Sequence, residues 1–148
     1  MISELTVIDR AVADVYNMFF DLKGWKGILP DVLDVKVLYD DGRHQEFLMT
    51  VLRPNGPETV RGVRFCKAPY RIAMFQPEPP PGFRRMVGVW TFAEDDARRT
   101  CVTATRTFEL VPASGADPSE ARRAVEQKLR GYLKTNLGLF RARLEAPS

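Results

Sequence analysis

Two residues of this chain stand where they could do chemistry. Arg64 lies in Val60-Arg61-Gly62-Val63-Arg64-Phe65. Strand alternation there puts Val60, Gly62 and Arg64 on one face and Arg61, Val63 and Phe65 on the other. Alternation does not say which face turns inward. An outward Arg64 is a surface ion-pair residue; an inward one needs a partner or a solvated cavity. Asn136 lies between Tyr132 and Phe140 at intervals of four, with Leu129 and Leu133 alongside. That spacing sets an amide on the apolar stripe of a helix. Such an amide must find hydrogen-bond partners, either in sheet backbone or in the carbonyl or hydroxyl of a ligand.

The other reactive residue types exclude more than they suggest. His44 is the one histidine, and it sits beside the turn signal Asp41-Gly42, so it reads as an exposed turn residue. The four serines are Ser3, Ser114, Ser119 and Ser148, none in a G-x-S-x-G elbow, so a hydrolase triad has no support. Cys66 and Cys101 form no C-x-x-C pair. With one histidine they make no ordinary zinc site, and they read as buried, reduced thiols. No metal and no cofactor is expected, since phosphate-binding glycine patterns are missing as well. Trp25 and Trp90 fit either core packing or the lining of a cavity for a flat aromatic molecule. Met49 is compatible with the same lining. Tyr16 and Tyr70 are hydroxyl bearers that their spacing does not single out.

The elements that must position these residues can be read from periodicity and turns. Residues 2–9 form a strand, and 11–20 an amphipathic helix with Val12, Val15, Tyr16, Phe19 and Phe20 on one side. A second helical piece covers 21–29 and ends at Pro30. Strands follow at 33–39 (Leu33, Val35 and Val37 alternating), 45–53, 58–66, 70–76, 84–93 and 99–111. Turns at Asp41-Gly42 and Pro54-Asn55-Gly56-Pro57, and a stiff connector at 77–82, separate them. Asp117-Pro118-Ser119-Glu120 has the residues of a helix start, and the helix runs to about Glu145 with the stripe Val125, Leu129, Tyr132, Leu133, Leu137, Phe140 and Leu144. A long helix with one apolar stripe needs a partner surface, and a curved antiparallel sheet of about seven strands is the one large enough. The expected fold class is α+β, a single domain over 1–148 in which the sheet wraps the C-terminal helix and leaves an internal cavity.

The chain has 148 residues, the size of one domain. No apolar run approaches the roughly 20 residues that span a bilayer, and the start lacks a signal-peptide pattern. The expectation is a cytoplasmic protein without a membrane partner. The formal charge of +3 is spread along the chain without a basic block, which argues against nucleic acid and fits an acidic protein partner.

This order of elements resembles the START-like, or Bet v 1-like, helix-grip superfamily (SRPBCC). Within it the chain is most similar to the single-domain aromatase/cyclases of bacterial aromatic polyketide and antibiotic biosynthesis. The resemblance covers residues 2–145. It is carried by Val15-Tyr16, Asp21-Leu22-Lys23-Gly24-Trp25, Leu29-Pro30-Asp31, the 33–38 strand, Gly62-Val63-Arg64, Val89-Trp90-Thr91-Phe92 and Lys134-Thr135-Asn136-Leu137. It implies a pocket arginine at Arg64 and a pocket asparagine at Asn136, which are the expected catalytic residues; Trp25, Val32, Met49, Trp90, Tyr132 and Phe140 are expected to bind substrate on the reading of the residues themselves. Val32 stands about where the family has a pocket tyrosine, so tyrosine-based proton transfer is not implied here. The implied activity is aldol cyclisation and dehydration of a poly-β-ketone held by an acidic acyl carrier protein. The alternative is a non-catalytic carrier of a hydrophobic or aromatic small molecule.

Overall fold

The computed structural model describes residues 1–115 and 117–147; Ala116 and Ser148, one of the four serines, lie outside the described residues. In chain order the elements are β1 (Ile2–Ile8), α1 (Val12–Phe20), a 3-10 segment (Leu22–Gly27), β2 (Val32–Asp40), β3 (His44–Arg53), β4 (Gly56–Lys67), β5 (Arg71–Phe75), β6 (Phe83–Glu94), β7 (Thr100–Leu110) and α2 (Pro118–Glu145). The seven strands form one antiparallel sheet in the order β1-β7-β6-β5-β4-β3-β2. β1 therefore closes against β7, while β2 to β7 follow one another as a meander. This is the α+β helix-grip fold expected from the element order.

Alternation decides the inner face. In β4 the buried phase is Gly62, Arg64 and Cys66; in β6 it is Met86, Gly88, Trp90 and Phe92; in β7 it is Val102, Ala104 and Phe108. β2 departs from the expected pattern. A register irregularity between Val32 and Asp34 turns Val32 inward and Leu33 outward, while Val35 and Val37 keep the inner phase. One extra residue in a strand reverses the facing of what precedes it, and unbroken alternation from Leu33 cannot show that.

α2 starts as its sequence dictates. Asp117 caps it, accepting a hydrogen bond from the Ser119 amide at 2.9 Å, with Pro118 in the first turn. Its 28 residues span roughly 42 Å. Leu133, Leu137, Phe140 and Leu144 are buried, while Val125, Leu129 and Tyr132 of the same stripe are half-buried. The helix packs along β1 and β7. Arg130 reaches the Ser3 carbonyl at 3.2 Å, and Glu145 accepts from the Asp9 amide at 2.8 Å.

The inner-face residues divide into two groups. Near the C-terminal end of α2, aromatic side chains fill the grip: Phe19 stacks on Phe140 with centroids 4.0 Å apart, and Trp25 meets Trp90 edge-on at 6.0 Å. Toward the start of α2, the inward residues Val60, Met74, Arg106 and Tyr132 stay half-buried. Val60, Met74 and Arg106 stand on strands flanked on both sides, so their exposed area faces the gap between helix and sheet. The two main clefts lie elsewhere, one lined by Asp14, Asn17, Asp21, Gly24, Ile28 and Arg143 and the other by Val7, Asp9, Arg99, Arg141 and Glu145, so neither is the internal cavity expected between helix and sheet. No helix among the described residues is long and apolar enough to cross a membrane.

Gly62 is needed for close approach. A Cβ there would run into the ring of Phe47, its cross-strand partner, which is itself buried. Gly62→Ala is expected to lower unfolding stability by about 1–3 kcal/mol through overpacking, measured as a lower urea midpoint with an unchanged slope.

Candidate functional site

The site begins at the end of α1. The last carbonyls of a helix have no partner within it. Here the Phe19 carbonyl accepts from Arg64 Nη2 at 2.9 Å and from Trp25 Nε1 at 3.1 Å, and the Phe20 carbonyl accepts from Gln45 Nε2 at 3.2 Å. The partial negative charge of a helix C-terminus favours a cation at that place. One short helix end thus docks β4, β3 and the 3-10 segment together.

Arg64 is completely buried, at 0% exposure. Its Nε and Nη1 have no hydrogen-bond partner, and among the described residues no carboxylate forms a salt bridge with it. The guanidinium carbon lies 5.4 Å from the Trp25 ring centroid and 5.8 Å from that of Trp90. Both indole faces attract the cation, but neither replaces the lost N–H···O bonds. Burial pulls the Arg64 pKa down to about 10, so it stays charged at neutral pH. Two of its donors thus find no acceptor among the described residues.

Two titratable groups sit close by. Tyr16, on α1, is buried with its hydroxyl unpartnered, and burial pushes its pKa up to about 12. Cys66, two residues after Arg64 on the same face, donates from Sγ to Gln45 Oε1 at 3.6 Å, and burial raises its pKa as well. Gln45 also donates to Asp40 at 3.1 Å.

The expected site residues fall into two sets. Arg64, Trp25 and Trp90 come together, with Phe140 behind them, 5.5 Å edge-on to Trp25. Val32 and Met49 are buried members of the core at β2 and β3. Tyr132 is half-buried beneath the Arg53 guanidinium, 5.6 Å from its ring centroid. Asn136 is half-buried one turn further along α2, and among the described residues its amide makes no hydrogen bond. His44 is exposed at the start of β3, its Nδ1 3.1 Å from Asp41.

A family model described as polyketide cyclase / dehydrase and lipid transport matches residues 2–145. The chain belongs to this family. Among solved structures it is similar to the di-domain ARO/CYC BexL from the BE-7585A biosynthetic pathway, with 26% identity and a TM-score of 0.89 over 99% of this chain and 50% of that one. It is also similar to the Zhui aromatase/cyclase from a Streptomyces species, with 22% identity and a TM-score of 0.85 over 97% of this chain and 92% of that one. The di-domain ARO/CYC StfQ from the steffimycin biosynthetic pathway matches at 23% identity and a TM-score of 0.88, over 97% of this chain and 50% of that one. The chain therefore spans half the length of the di-domain structures. No curated protein matches.

In this member of the polyketide cyclase/dehydrase family, one further charged residue that spacing did not single out lies beside Trp90. Arg106 lies on the inner face of β7, its guanidinium carbon 4.7 Å from the Trp90 centroid. Its phase reads Val102, Ala104, Arg106, Phe108, a cation in an apolar row, and that irregularity was the available signal. Tyr16 is the second residue that spacing did not single out: its helical position marks it as inward but says nothing of an unpartnered hydroxyl.

The folded state holds the Tyr16 proton more tightly than the unfolded chain, where the phenol titrates near 10. The resulting stability is complete below about pH 10 and is lost as pH rises through about 12. Tyr16→Phe is expected to remove that alkaline decline while leaving stability at pH 7 unchanged or higher by up to about 1 kcal/mol, because an idle buried hydroxyl is deleted. Urea unfolding at pH 7 and above pH 10 checks both parts.

Proposed function

We propose that this chain is a polyketide aromatase/cyclase that directs aldol cyclisation and dehydration of a carrier-bound poly-β-ketone at one chosen pair of carbons. One observation carries the reading: a fully buried guanidinium with two unpartnered nitrogens, held between two indoles. The match to a polyketide cyclase/dehydrase family and the likeness to aromatase/cyclase structures support it.

The chemistry asks little of the protein in acid–base terms. A methylene between two carbonyls loses a proton to water or to a neighbouring enolate. The enolate carbon attacks a distant carbonyl carbon, a C–C bond forms, and the carbonyl π pair moves onto oxygen as an alkoxide. Arg64 Nε and Nη1 donate to that oxygen in a space where water is scarce, which strengthens the interaction as charge develops. The alkoxide takes a proton from water, and loss of water with an adjacent C–H proton leaves a C=C bond. Enolisation then completes the ring. Carbon oxidation levels balance throughout, and no redox partner is needed. The aromatic walls, Trp25, Trp90 and Phe140, hold the folded chain so that one carbon pair meets. Asn136 orients a carbonyl or the departing hydroxyl from α2. A formal charge of +3 suits an acidic acyl carrier protein as the donor of the chain.

A second reading rests on the same pocket. Tyr16 and Cys66 both hold their protons more tightly than usual, so neither is a base at neutral pH. A carrier of an aromatic small molecule needs no base.

Reconstitution with a minimal polyketide synthase separates the two. Cyclase action is expected to convert a mixture of spontaneous products into one aromatic regioisomer, read by mass spectrometry and NMR. Arg64→Ala is expected to lower that product about 10²-fold, and Asn136→Ala about tenfold, with both variants folded. An unchanged product pattern with wild-type protein favours the carrier.

A further inference from the structure

Arg64 and Arg106 stand in one row across the inner face of the sheet. Pairing runs Arg64 to Met74, Met74 to Gly88, and Gly88 to Arg106. The two arginines are therefore three strands apart, roughly 14 Å between backbones at the usual strand spacing. Their side chains cross much of that distance. Both guanidiniums lie over Trp90, at 5.8 Å and 4.7 Å from its centroid, so they are no further apart than those two distances together.

Gly88 makes the convergence possible. A Cβ at position 88 would sit 2.6 Å from Arg106 Nη1 and 2.9 Å from its Cζ. The Arg106 side chain thus runs across the bare backbone of β6 toward Arg64. A glycine inside a strand weakens it and marks close approach of another group; here that group is a guanidinium. Arg106 makes one hydrogen bond, from Nη1 to the Thr105 carbonyl at 3.0 Å. Among the described residues it has no carboxylate partner.

Two like charges drawn to one indole, neither paired with a carboxylate, repel each other and cost folding energy. The bond to the Phe19 carbonyl accounts for a cation at Arg64, but packing does not account for a second one, because an apolar side chain at position 106 would fill the same row without that cost. An anionic ligand does explain it.

We propose that Arg106 is a second oxyanion-binding residue of the site, and that Arg64 and Arg106 together select a planar ligand bearing a delocalised oxyanion, either an enolised 1,3-dicarbonyl or an aromatic carboxylate, laid against Trp90. This rests on Arg64 facing the ligand space, as in the proposed function, but not on catalysis. Arg64 takes the oxygen on which charge develops, and Arg106 fixes a second oxygen of the same molecule, so their spacing sets the register of the bound chain.

Trp25 and Trp90 are the two tryptophans of the chain, so intrinsic fluorescence reports directly on the site. The probes are 3-hydroxy-2-naphthoate, its uncharged methyl ester, and the enolate of a cyclic 1,3-diketone, titrated by tryptophan quenching and calorimetry at low and moderate salt. The expected result is that wild-type protein binds at least one of the two anions about tenfold or more tighter than the ester. Preference for the carboxylate identifies a product-like acid, and preference for the diketonate an enolised chain. Arg106→Met is expected to abolish the preference while ester binding stays within about twofold; Arg106→Lys keeps part of it. Gly88→Ala, which displaces the side chain without removing its charge, is expected to weaken the preference as well. Equal binding of anion and ester by folded wild-type protein overturns the proposal, as does a preference that survives Arg106→Met. Loss of product control in reconstitution with an Arg106-dependent preference intact would sink the cyclase reading and leave this one standing.

Discussion

The carbonyl end of α1 is the point on which the rest of the structure depends. Three side chains from three elements, Arg64, Trp25 and Gln45, donate into Phe19 and Phe20. Those carbonyls lack helical partners because the helix stops after nine residues. The same contacts bring a guanidinium into a place with no carboxylate to neutralise it. Burying an unpaired charge is expensive, and the helix end and two indole faces offset only part of that cost. Arg64 is thus held firmly and left chemically incomplete.

The aromatic cluster gives this incompleteness its shape. Phe19, Phe140, Trp25 and Trp90 pack into the grip behind Arg64 with centroids 4.0–6.5 Å apart. They exclude water from the guanidinium and stiffen its surroundings. At the opposite end, Val60, Met74 and Arg106 form a half-buried row. Apolar closure and solvent access meet at Trp90, which carries Arg64 and Arg106 on its ring. Gly62 and Gly88 serve the two halves differently, the first admitting the Phe47 ring and the second a charged side chain.

Membership in the polyketide cyclase/dehydrase family agrees with a site of this kind. Positioning and oxygen stabilisation matter more in such chemistry than a strong base, and the titratable groups beside Arg64 both stay protonated at neutral pH. What the site itself offers is a buried cation and aromatic walls.

By itself the sequence determined the elements, because hydrophobic period, turn residues and caps are local. Strand, helix pair, meander and long helix all follow from it, as do the α2 stripe and the place of Trp25, Arg64 and Trp90 in the family pattern. Only the tertiary structure decided which face of β4 turns inward, since alternation is symmetric until the sheet curves. It also decided that Val32 rather than Leu33 enters the core, because a register irregularity reverses facing without a clear mark in composition. Asn136 and Tyr132 were legible as stripe residues, but not their half-buried setting, which depends on how far α2 overhangs the sheet. Arg106 was not singled out, although it stands as a cation in an apolar row. That it crosses Gly88 to meet Arg64 over one indole is a fact of pairing between distant strands, and local pattern carries no information about that.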